Sequence, residues 1–207
     1  MALKVLGISA SPRKGGNSEA LLEQALNAIR DTNADIEKIR ICDCNIGPCI
    51  ACDMCHTTGT CPITDDFQPI MQKILEADRL IFATPVFWMN IPAQAKTLID
   101  RTQCLWAKKN ILRQSIPETQ GRDRRAALIV VGGSKSKKMF ECVGLTMKYW
   151  LEIIDMRHTA NLFISEIDGK NDAAQNTKAM DQAARLGKEL LRTDIPTPDK
   201  PVNIELT

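Results

Sequence analysis

The chain has 207 residues, of which 25% are charged and 44% hydrophobic, and its formal net charge is +2. This length suits one well-buried domain, and the near-average composition excludes a disordered or fibrous protein. The balanced charge gives no reason to expect nucleic-acid binding, and no apolar run approaches the roughly 20 residues that span a bilayer. We see no signal-peptide layout and therefore expect a cytoplasmic protein whose eight cysteines are reduced.

Buried strands and amphipathic helices alternate along the chain. Continuous apolar runs at residues 3–9, 79–84 and 125–131 predict strands covered on both faces, and residues 36–41 and 159–165 predict two more. Helical periodicity follows each strand, at residues 17–29, 65–75, 90–105, 140–153 and 173–192. The alternation predicts one doubly wound α/β domain over residues 1–193 with helices on both faces of a five-stranded parallel sheet.

Residues 194–207 differ from the rest of the chain. They include Pro196, Pro198 and Pro201, which rules out a helix. We expect an extended C-terminal arm, either frayed or lying on a partner subunit.

The loop after the first strand has the composition of a phosphate site. Hydroxyl and amide side chains supply donors, Gly15-Gly16 lets backbone N–H groups approach a ligand, and Asn17 or Ser18 is the expected N-cap of a helix that attracts anions. The loop lacks the Walker A and dinucleotide fingerprints, and an ordinary capped turn with two exposed basic residues is the alternative. The candidate residues are Ser9, Ser11, Arg13, Lys14, Gly16, Asn17 and Ser18.

A second loop should meet the first. In open α/β sheets, ligands bind at the carboxyl edge where the first and third strands diverge, and the loop after the third strand is apolar and aromatic. Such a loop beside a phosphate site suits a flat ring. Its residues are Pro85, Val86, Phe87, Trp88 and Met89.

The cysteines are concentrated in one stretch, residues 42–61, which holds six of the eight. Two spacers of two residues and one of five separate the last four, and this spacing suits an iron–sulfur cluster held by four thiolates. Structural zinc usually uses two separated Cys-x-x-Cys knuckles, and reduced structural thiols are the third interpretation. Gly47-Pro48 separates Cys42 and Cys44 from the four later cysteines, and we expect these two to be structural or accessory thiols. The candidate metal ligands are Cys49, Cys52, Cys55 and Cys61.

The remaining chemical groups favour structural roles. We expect Cys104 and Cys142 in the core, and no Ser–His–Asp or Cys–His arrangement indicates hydrolysis. Basic clusters at residues 108–109, 122–125 and 135–138 are expected to be solvated surface. The sharper hypothesis is that residues 135–138 form a docking face for an acidic carrier such as ferredoxin.

Several motifs together resemble the flavodoxin-like NAD(P)H-dependent FMN reductase superfamily. They are Ser-x-Ser-x-Arg…Gly-Asn-Ser at residues 9–18, Thr-Pro-Val-Phe-Trp at 84–88 leading to residues 95–101, and Gly-Gly-Ser at 132–134. The resemblance covers roughly residues 3–165, and the cysteine run resembles the iron–sulfur flavoprotein branch, which carries FMN and one [4Fe–4S] cluster.

The resemblance implies strand order 2-1-3-4-5. It implies that the first loop holds the FMN phosphate, and that the loop after the third strand borders the flavin ring together with Gly132, Gly133 and Ser134.

The expected function is that of an FMN-dependent oxidoreductase that passes electrons between a [4Fe–4S] cluster and FMN. The expected partners are NAD(P)H or ferredoxin as donor, and oxygen, peroxide or a quinone as a small acceptor. Because cofactors carry the redox chemistry, we name no acid–base catalyst. The alternatives are a cluster-free NAD(P)H-dependent FMN or quinone reductase and a redox-sensing or zinc-stabilised binding protein. Relatives suggest a homodimer or homotetramer.

Overall fold

The computed structural model describes residues 2–194, 196 and 198–204, and its centre is a parallel β-sheet. Six strands are present in this part of the chain, in the order β2-β1-β3-β4-β5-β6. The strands are β1 (Leu3–Ser9), β2 (Ala34–Arg40), β3 (Arg79–Pro85), β4 (Arg125–Val131), β5 (Arg157–Ile164) and β6 (Val202–Asn203).

Helices cover both faces of the sheet. One apolar core lies between the sheet and α3 to α6, and the other lies between the sheet and α1, α7 and α8. This is the predicted doubly wound arrangement. The helices are α1 (Asn17–Asn27), α2 (Cys55–Thr58), α3 (Phe67–Glu76), α4 (Ala93–Arg101), α5 (Gln103–Asn110), α6 (Met139–Ile153), α7 (Asp172–Gln175) and α8 (Thr177–Leu191).

The central strands show why a continuous apolar run is needed. Side chains of β3 alternate between the two cores, with Leu80 and Phe82 in one and Ile81 in the other, and all three are fully buried.

On the face of the sheet that α1 and α8 cover, these two helices approach each other closely. A Cβ at Gly187 would collide with the carbonyl oxygen of Ala25, so a larger residue there would push the two helices apart.

The C-terminal arm corrects the five-strand prediction. Val202 and Asn203 pair in parallel with Ala160 and Asn161 of β5, and Ile204 packs into the core beside α8. The described arm therefore lies on its own sheet rather than fraying, and predictions for residues 195, 197 and 205–207 fall outside the described residues.

Three helix predictions also differ from the structure. The predicted helix 90–105 is two helices, α4 and α5, with Thr102 between them, and the predicted helix 173–192 divides at Asn176, which caps α8 by accepting from Ala179 N–H at 3.0 Å. The N-cap of α1 is Gly16, not Asn17 or Ser18. Among the described residues no helix is long and apolar enough to cross a membrane.

Two predictions of burial or exposure were wrong. Cys142 is exposed, although Cys104 is buried as expected. In the cluster at residues 122–125, Arg124 and Arg125 are buried, and Arg124 donates to the carbonyl oxygens of Ile74, Ala77 and Ile154 at the ends of α3 and α6. Arg124 thus satisfies helix C-termini that would otherwise lack donors.

Candidate functional site

A cavity of about 370 Å³ lies at the carboxyl edge of the sheet, where the loops after β1, β3, β4 and β5 converge. It brings together ten of the residues predicted to bind a phosphate or a flat ring. These are Ser11, Arg13, Gly16, Asn17, Ser18, Pro85, Val86, Phe87, Gly132 and Gly133. No ligand contact tests their individual roles, which stay predictions.

The loop after β1 is held by its own hydrogen bonds. The Ser11 hydroxyl accepts from the Arg13 N–H at 3.2 Å, and the Arg13 carbonyl accepts from the Gly16 N–H at 3.1 Å. Gly15 has a φ of +61°, which favours glycine. A Cβ on Gly16 would meet the Ser11 hydroxyl and the Arg13 carbonyl at 3.0 Å, so the turn leaves no room for a side chain there.

Two buried hydroxyls at this loop have no partner within the described protein. They belong to Ser9, at the end of β1, and Ser18, in the first turn of α1. A buried polar group without a hydrogen bond costs free energy, so an unpaired hydroxyl at a cavity indicates a missing acceptor or donor. An anion at the N-terminus of α1 would supply acceptors where the helix also favours negative charge.

Asn17 links α1 to the loop after β5 through its side-chain amide. Its side-chain amide donates to the Gly169 carbonyl at 2.8 Å and its amide oxygen accepts from the Ala173 N–H at 3.1 Å. Asn17 thus fastens the loop after β5 to α1, although it also borders the cavity.

Five predicted residues lie outside the cavity lining, namely Ser9, Lys14, Trp88, Met89 and Ser134. Lys14 is exposed, with its ammonium 3.9 Å from a carboxylate oxygen of Asp43. Ser134 lies in an exposed turn in which its hydroxyl accepts from the Ser136 N–H at 3.1 Å.

The predicted ring-binding loop is divided by a tight turn. Phe87 and Asn90 exchange backbone hydrogen bonds of 2.7 and 3.0 Å, and the two residues between them, Trp88 and Met89, have φ values of +49° and +65°. A positive φ costs free energy for residues with large side chains, and both of these side chains are exposed to solvent. Trp88 is 100% exposed, whereas Pro85, Val86 and Phe87 line the cavity.

The loops after β4 and β5 complete the cavity. A Cβ on Gly132 would collide with the Met139 sulfur, and one on Gly133 would meet the Asp168 carboxylate at 3.0 Å. Sequence reasoning missed Asp168 and Ile167, which also line the cavity. Their position just after the fifth strand, at the same sheet edge, is the signal that could have identified them.

All four predicted cluster cysteines are free thiols on one loop. Cys49 and Cys52 are exposed, and Cys55 and Cys61 are half-buried. Burial raises the pKa of the Cys55 thiol, and charge on the other three raises it further, so the four sulfurs influence one another. Within the described residues, however, no three His, Cys, Asp or Glu side chains form a metal-binding group. The ligand set stays a prediction. Four thiols on one short segment are the donor type that an iron–sulfur cluster takes.

The loop backbone is unusual at two positions next to these cysteines. Ala51 and Asp53 have φ values of +51° and +56°, a left-handed conformation that costs free energy for residues with a side chain. The accessory thiol of Cys44 instead donates to the Arg40 carbonyl at 3.2 Å, consistent with a structural role.

A larger cavity, about 1090 Å³, lies between α6, β5 and the C-terminal arm. Its lining includes Lys148, Arg157 and His158 but none of the predicted site residues. His158 Nε2 lies 2.7 Å from Asn161 Oδ1, so the imidazole ring has a hydrogen-bond partner within the fold.

A doubly wound parallel sheet with a glycine-containing loop and a cavity at its β1–β3 switch point defines a flavodoxin-like protein. The chain belongs to the NADPH-dependent FMN reductase family, whose model matches residues 3–149. Its sequence relatives confirm the resemblance to the iron–sulfur flavoprotein branch.

An iron–sulfur flavoprotein of Methanocaldococcus jannaschii is 45% identical over 103 residues, which are 50% of this chain and 53% of that protein. An iron–sulfur flavoprotein of Methanosarcina thermophila is 35% identical over 65% of both chains. The chain thus matches between half and two thirds of the length of these relatives. The fold resembles an NAD(P)H:quinone oxidoreductase from Methanothermobacter marburgensis, with a TM-score of 0.70, 15% identity, and coverage of 95% of this chain and 100% of that one.

Proposed function

We propose that the chain is an FMN-dependent oxidoreductase in which electrons pass between a [4Fe–4S] cluster and FMN. The observation that carries the flavin part is the cavity whose lining includes Ser18, a residue with a buried and unpaired hydroxyl. Family membership supports the same cofactor. When bound, FMN exchanges one or two electrons and the cluster one, so the pair links one-electron and two-electron partners.

The protein's contribution is to bind and orient these groups. Ser9, Ser11, Arg13 and Ser18 would hold the phosphate with the backbone N–H groups of the loop, since hydroxyls, a guanidinium and a helix N-terminus all favour a phosphate dianion. Apolar side chains of Val86 and Phe87 would cover part of the ring and exclude water. Cys49, Cys52, Cys55 and Cys61 would ligate the cluster.

A single preparation tests this proposal. The protein is purified without oxygen, and its absorption spectrum, flavin, iron and acid-labile sulfide are measured. We expect one FMN and about four iron and four sulfide per chain. Stoichiometric flavin without iron or sulfide would contradict the cluster, and absence of flavin after gentle purification would contradict the whole proposal and favour a binding protein.

A cluster-free reductase is the second candidate, and the name of one sequence relative favours it. A relative named NAD(P)H:quinone oxidoreductase in Solanum tuberosum is 30% identical over 132 residues. This candidate predicts rapid bleaching of bound flavin by NAD(P)H in a protein without iron, whereas the first predicts faster reduction by a ferredoxin-like donor.

We also propose that the exposed lysines after β4 dock an acidic carrier such as ferredoxin. Lys135, Lys137 and Lys138 are exposed beside the loop that carries Gly133, so a carrier bound there would lie close to the cavity. Replacing the three by glutamate should slow reduction by ferredoxin at low salt and leave reduction by dithionite unchanged. An unchanged ferredoxin rate would exclude this face.

Assembly into a homodimer or homotetramer is a further proposal. Large apolar side chains stay exposed beside the cavity, among them Phe87 (48%), Trp88 (100%) and Met89 (46%). Contiguous apolar surface of this kind is typical of interfaces. Light scattering of the flavin-loaded protein measures the assembly, and a monomer at micromolar concentration would refute it.

A further inference from the structure

Arg101, the last residue of α4, is a buried cation at the base of the cysteine loop. Its side chain has no exposed surface, and its guanidinium lies 4.6 Å from the centroid of the Phe67 ring. Burying a charge is costly unless it is paired, and here the partner is Asp65, whose carboxylate lies 2.7 Å away and is itself 8% exposed.

All three guanidinium nitrogens donate to the segment that carries the cysteines. Nη1 donates to the Gly47 carbonyl at 2.9 Å and Nη2 to the Ile63 carbonyl at 3.0 Å, so one side chain joins the start and the end of the loop. Nε donates to the Cys61 sulfur at 3.1 Å. Arg101 thus fixes the cysteine loop at its buried base, whereas residues 49–54 of the same loop are exposed.

The Asp65 carboxylate is fixed in the same network. It accepts from the N–H of Gly47 at 2.9 Å and from the N–H of Phe67 at 2.9 Å. Burial alone would raise its pKa, but the Arg101 hydrogen bond and these two N–H donors outweigh burial and lower the pKa below the ordinary value. Asp65 therefore stays ionised and holds the guanidinium in its orientation.

We propose that Arg101 is the positioning residue of the metal centre: it sets the place of Cys61 and makes this sulfur the acceptor of a hydrogen bond from a buried guanidinium. The proposal rests on the cluster part of the proposed function. Hydrogen bonds to a coordinating thiolate withdraw charge from the metal and raise its reduction potential. Arginine is required because its planar fork reaches Asp65, two carbonyls and a sulfur together, which the single ammonium of lysine cannot do.

Arg101→Lys is the informative variant, since it keeps the charge beside Asp65 and loses the bond from Nε to sulfur. Arg124→Lys is the matched control, because Arg124 is equally buried but donates to backbone carbonyls at helix ends and to no thiol. Both variants are loaded with FMN, iron and sulfide without oxygen. Flavin content reports the fold, iron retention against a chelator reports positioning, and a potentiometric titration followed by electron paramagnetic resonance reports the cluster potential.

We expect Arg101→Lys to bind FMN normally, to lose iron to the chelator about 10-fold more readily, and to show a more negative cluster potential. Arg124→Lys should keep the wild-type potential. Unchanged iron retention and potential in Arg101→Lys, or equal losses in both variants, would overturn the inference.

A cluster-independent measurement separates this inference from the proposed function. In metal-free protein, the rate at which iodoacetamide alkylates Cys61 relative to exposed Cys52 should change in Arg101→Lys, because the Cys61 sulfur loses its donor and its anchor, and should stay at the wild-type value in Arg124→Lys. If wild-type protein takes up no iron and sulfide, the cluster proposal fails, and an unchanged alkylation ratio then refutes the positioning role as well. If Arg101→Lys does not fold, the double variant Arg101→Gln/Asp65→Asn, which removes both buried charges, replaces it in each measurement.

Discussion

The Arg40 guanidinium, at the end of β2, bonds to the buried carboxylate of Glu19 in the first turn of α1. The same carboxylate accepts from the Gly15 N–H at 2.9 Å, so it holds the turn of the loop after β1. Lys38 is its second cationic partner, at 3.1 Å. A carboxylate near a phosphate site would repel the ligand, and here two cations compensate its charge.

Glu19→Ala should therefore destabilise the protein. Glu19 and Arg40 have side-chain exposures of 4% and 11%, and removing one partner of a buried ion pair costs about 3 kcal/mol. Glu23→Ala is the matched control, since Glu23 also binds Lys38 but is 51% exposed and should change the free energy of unfolding by about 0.5 kcal/mol. Urea unfolding measures both, and equal effects would show that Glu19 has no special role.

Ser18→Ala should change stability and binding in opposite directions. The ligand-free protein loses an unpaired buried hydroxyl and becomes equally or more stable, whereas FMN loses a hydrogen bond and binds about 10-fold more weakly. Thermal unfolding with and without FMN and a fluorescence titration measure the two effects. Ser115→Ala, at an exposed site, should alter neither. Weaker binding together with lower ligand-free stability would mean that the hydroxyl is structural.

Gly132→Ala should lower both the stability of the protein and its FMN occupancy. The new methyl group would collide with the Met139 sulfur, and because methionine adapts its shape, we expect a loss of about 1 kcal/mol in stability together with lower FMN occupancy. Gly144→Ala, in α6, is the opposite case. Its methyl group meets no atom within 4 Å, so replacing a helix-interior glycine should stabilise the protein by about 0.5–1 kcal/mol. Similar effects of the two changes would refute the collision.

Asp123→Asn should cost stability in a pH-dependent way. Burial by itself raises the pKa of Asp123, but Arg125, at 3.0 Å, and Arg79, at 3.2 Å, lower the pKa below its ordinary value of 3.8. The folded state therefore releases the proton more readily than the unfolded state, and the stabilisation is present above pH 3.8 and lost as pH falls through the folded pKa.

Urea unfolding at pH 7 and at successively lower pH below 3.8 should thus show a penalty for Asp123→Asn at pH 7 that shrinks as the pH falls through the folded pKa. Asp181→Asn, at an exposed position of α8, provides the control and should show no such difference. A penalty that stays constant with pH would contradict an electrostatic origin.

The fold was largely predictable because its central strands are buried on both faces. Every residue of β4 is buried, and its six apolar residues from Ala126 to Val131 form the continuous run that is typical of a central parallel strand. The sixth strand was not predictable, since Val202 and Asn203 form only two pairs and lie in a proline-rich segment. Their pairing depends on the exposed edge of β5, which no local pattern reveals.

The site was predictable in its loops and less so in its side chains. The convergence of the loops after β1 and β3 follows from parallel topology. The outward turn of Trp88 and Met89 does not, because it needs positive φ at residues that rarely adopt it. The burial of Arg124 was not predictable either. A segment rich in arginine is typical of a solvated surface, and only the tertiary structure places the carbonyl oxygens of Ala77 and Ile154 within reach of this side chain.

The short strand β6 has a consequence for association. It occupies the backbone groups of Ala160 and Asn161 that β5 would otherwise present to another chain, and Ile204 anchors it by donating its N–H to the Asn161 carbonyl at 2.8 Å. An unpaired edge strand invites continuation of the sheet from molecule to molecule. A second copy that paired with Ala160 and Asn161 would first have to displace this C-terminal segment.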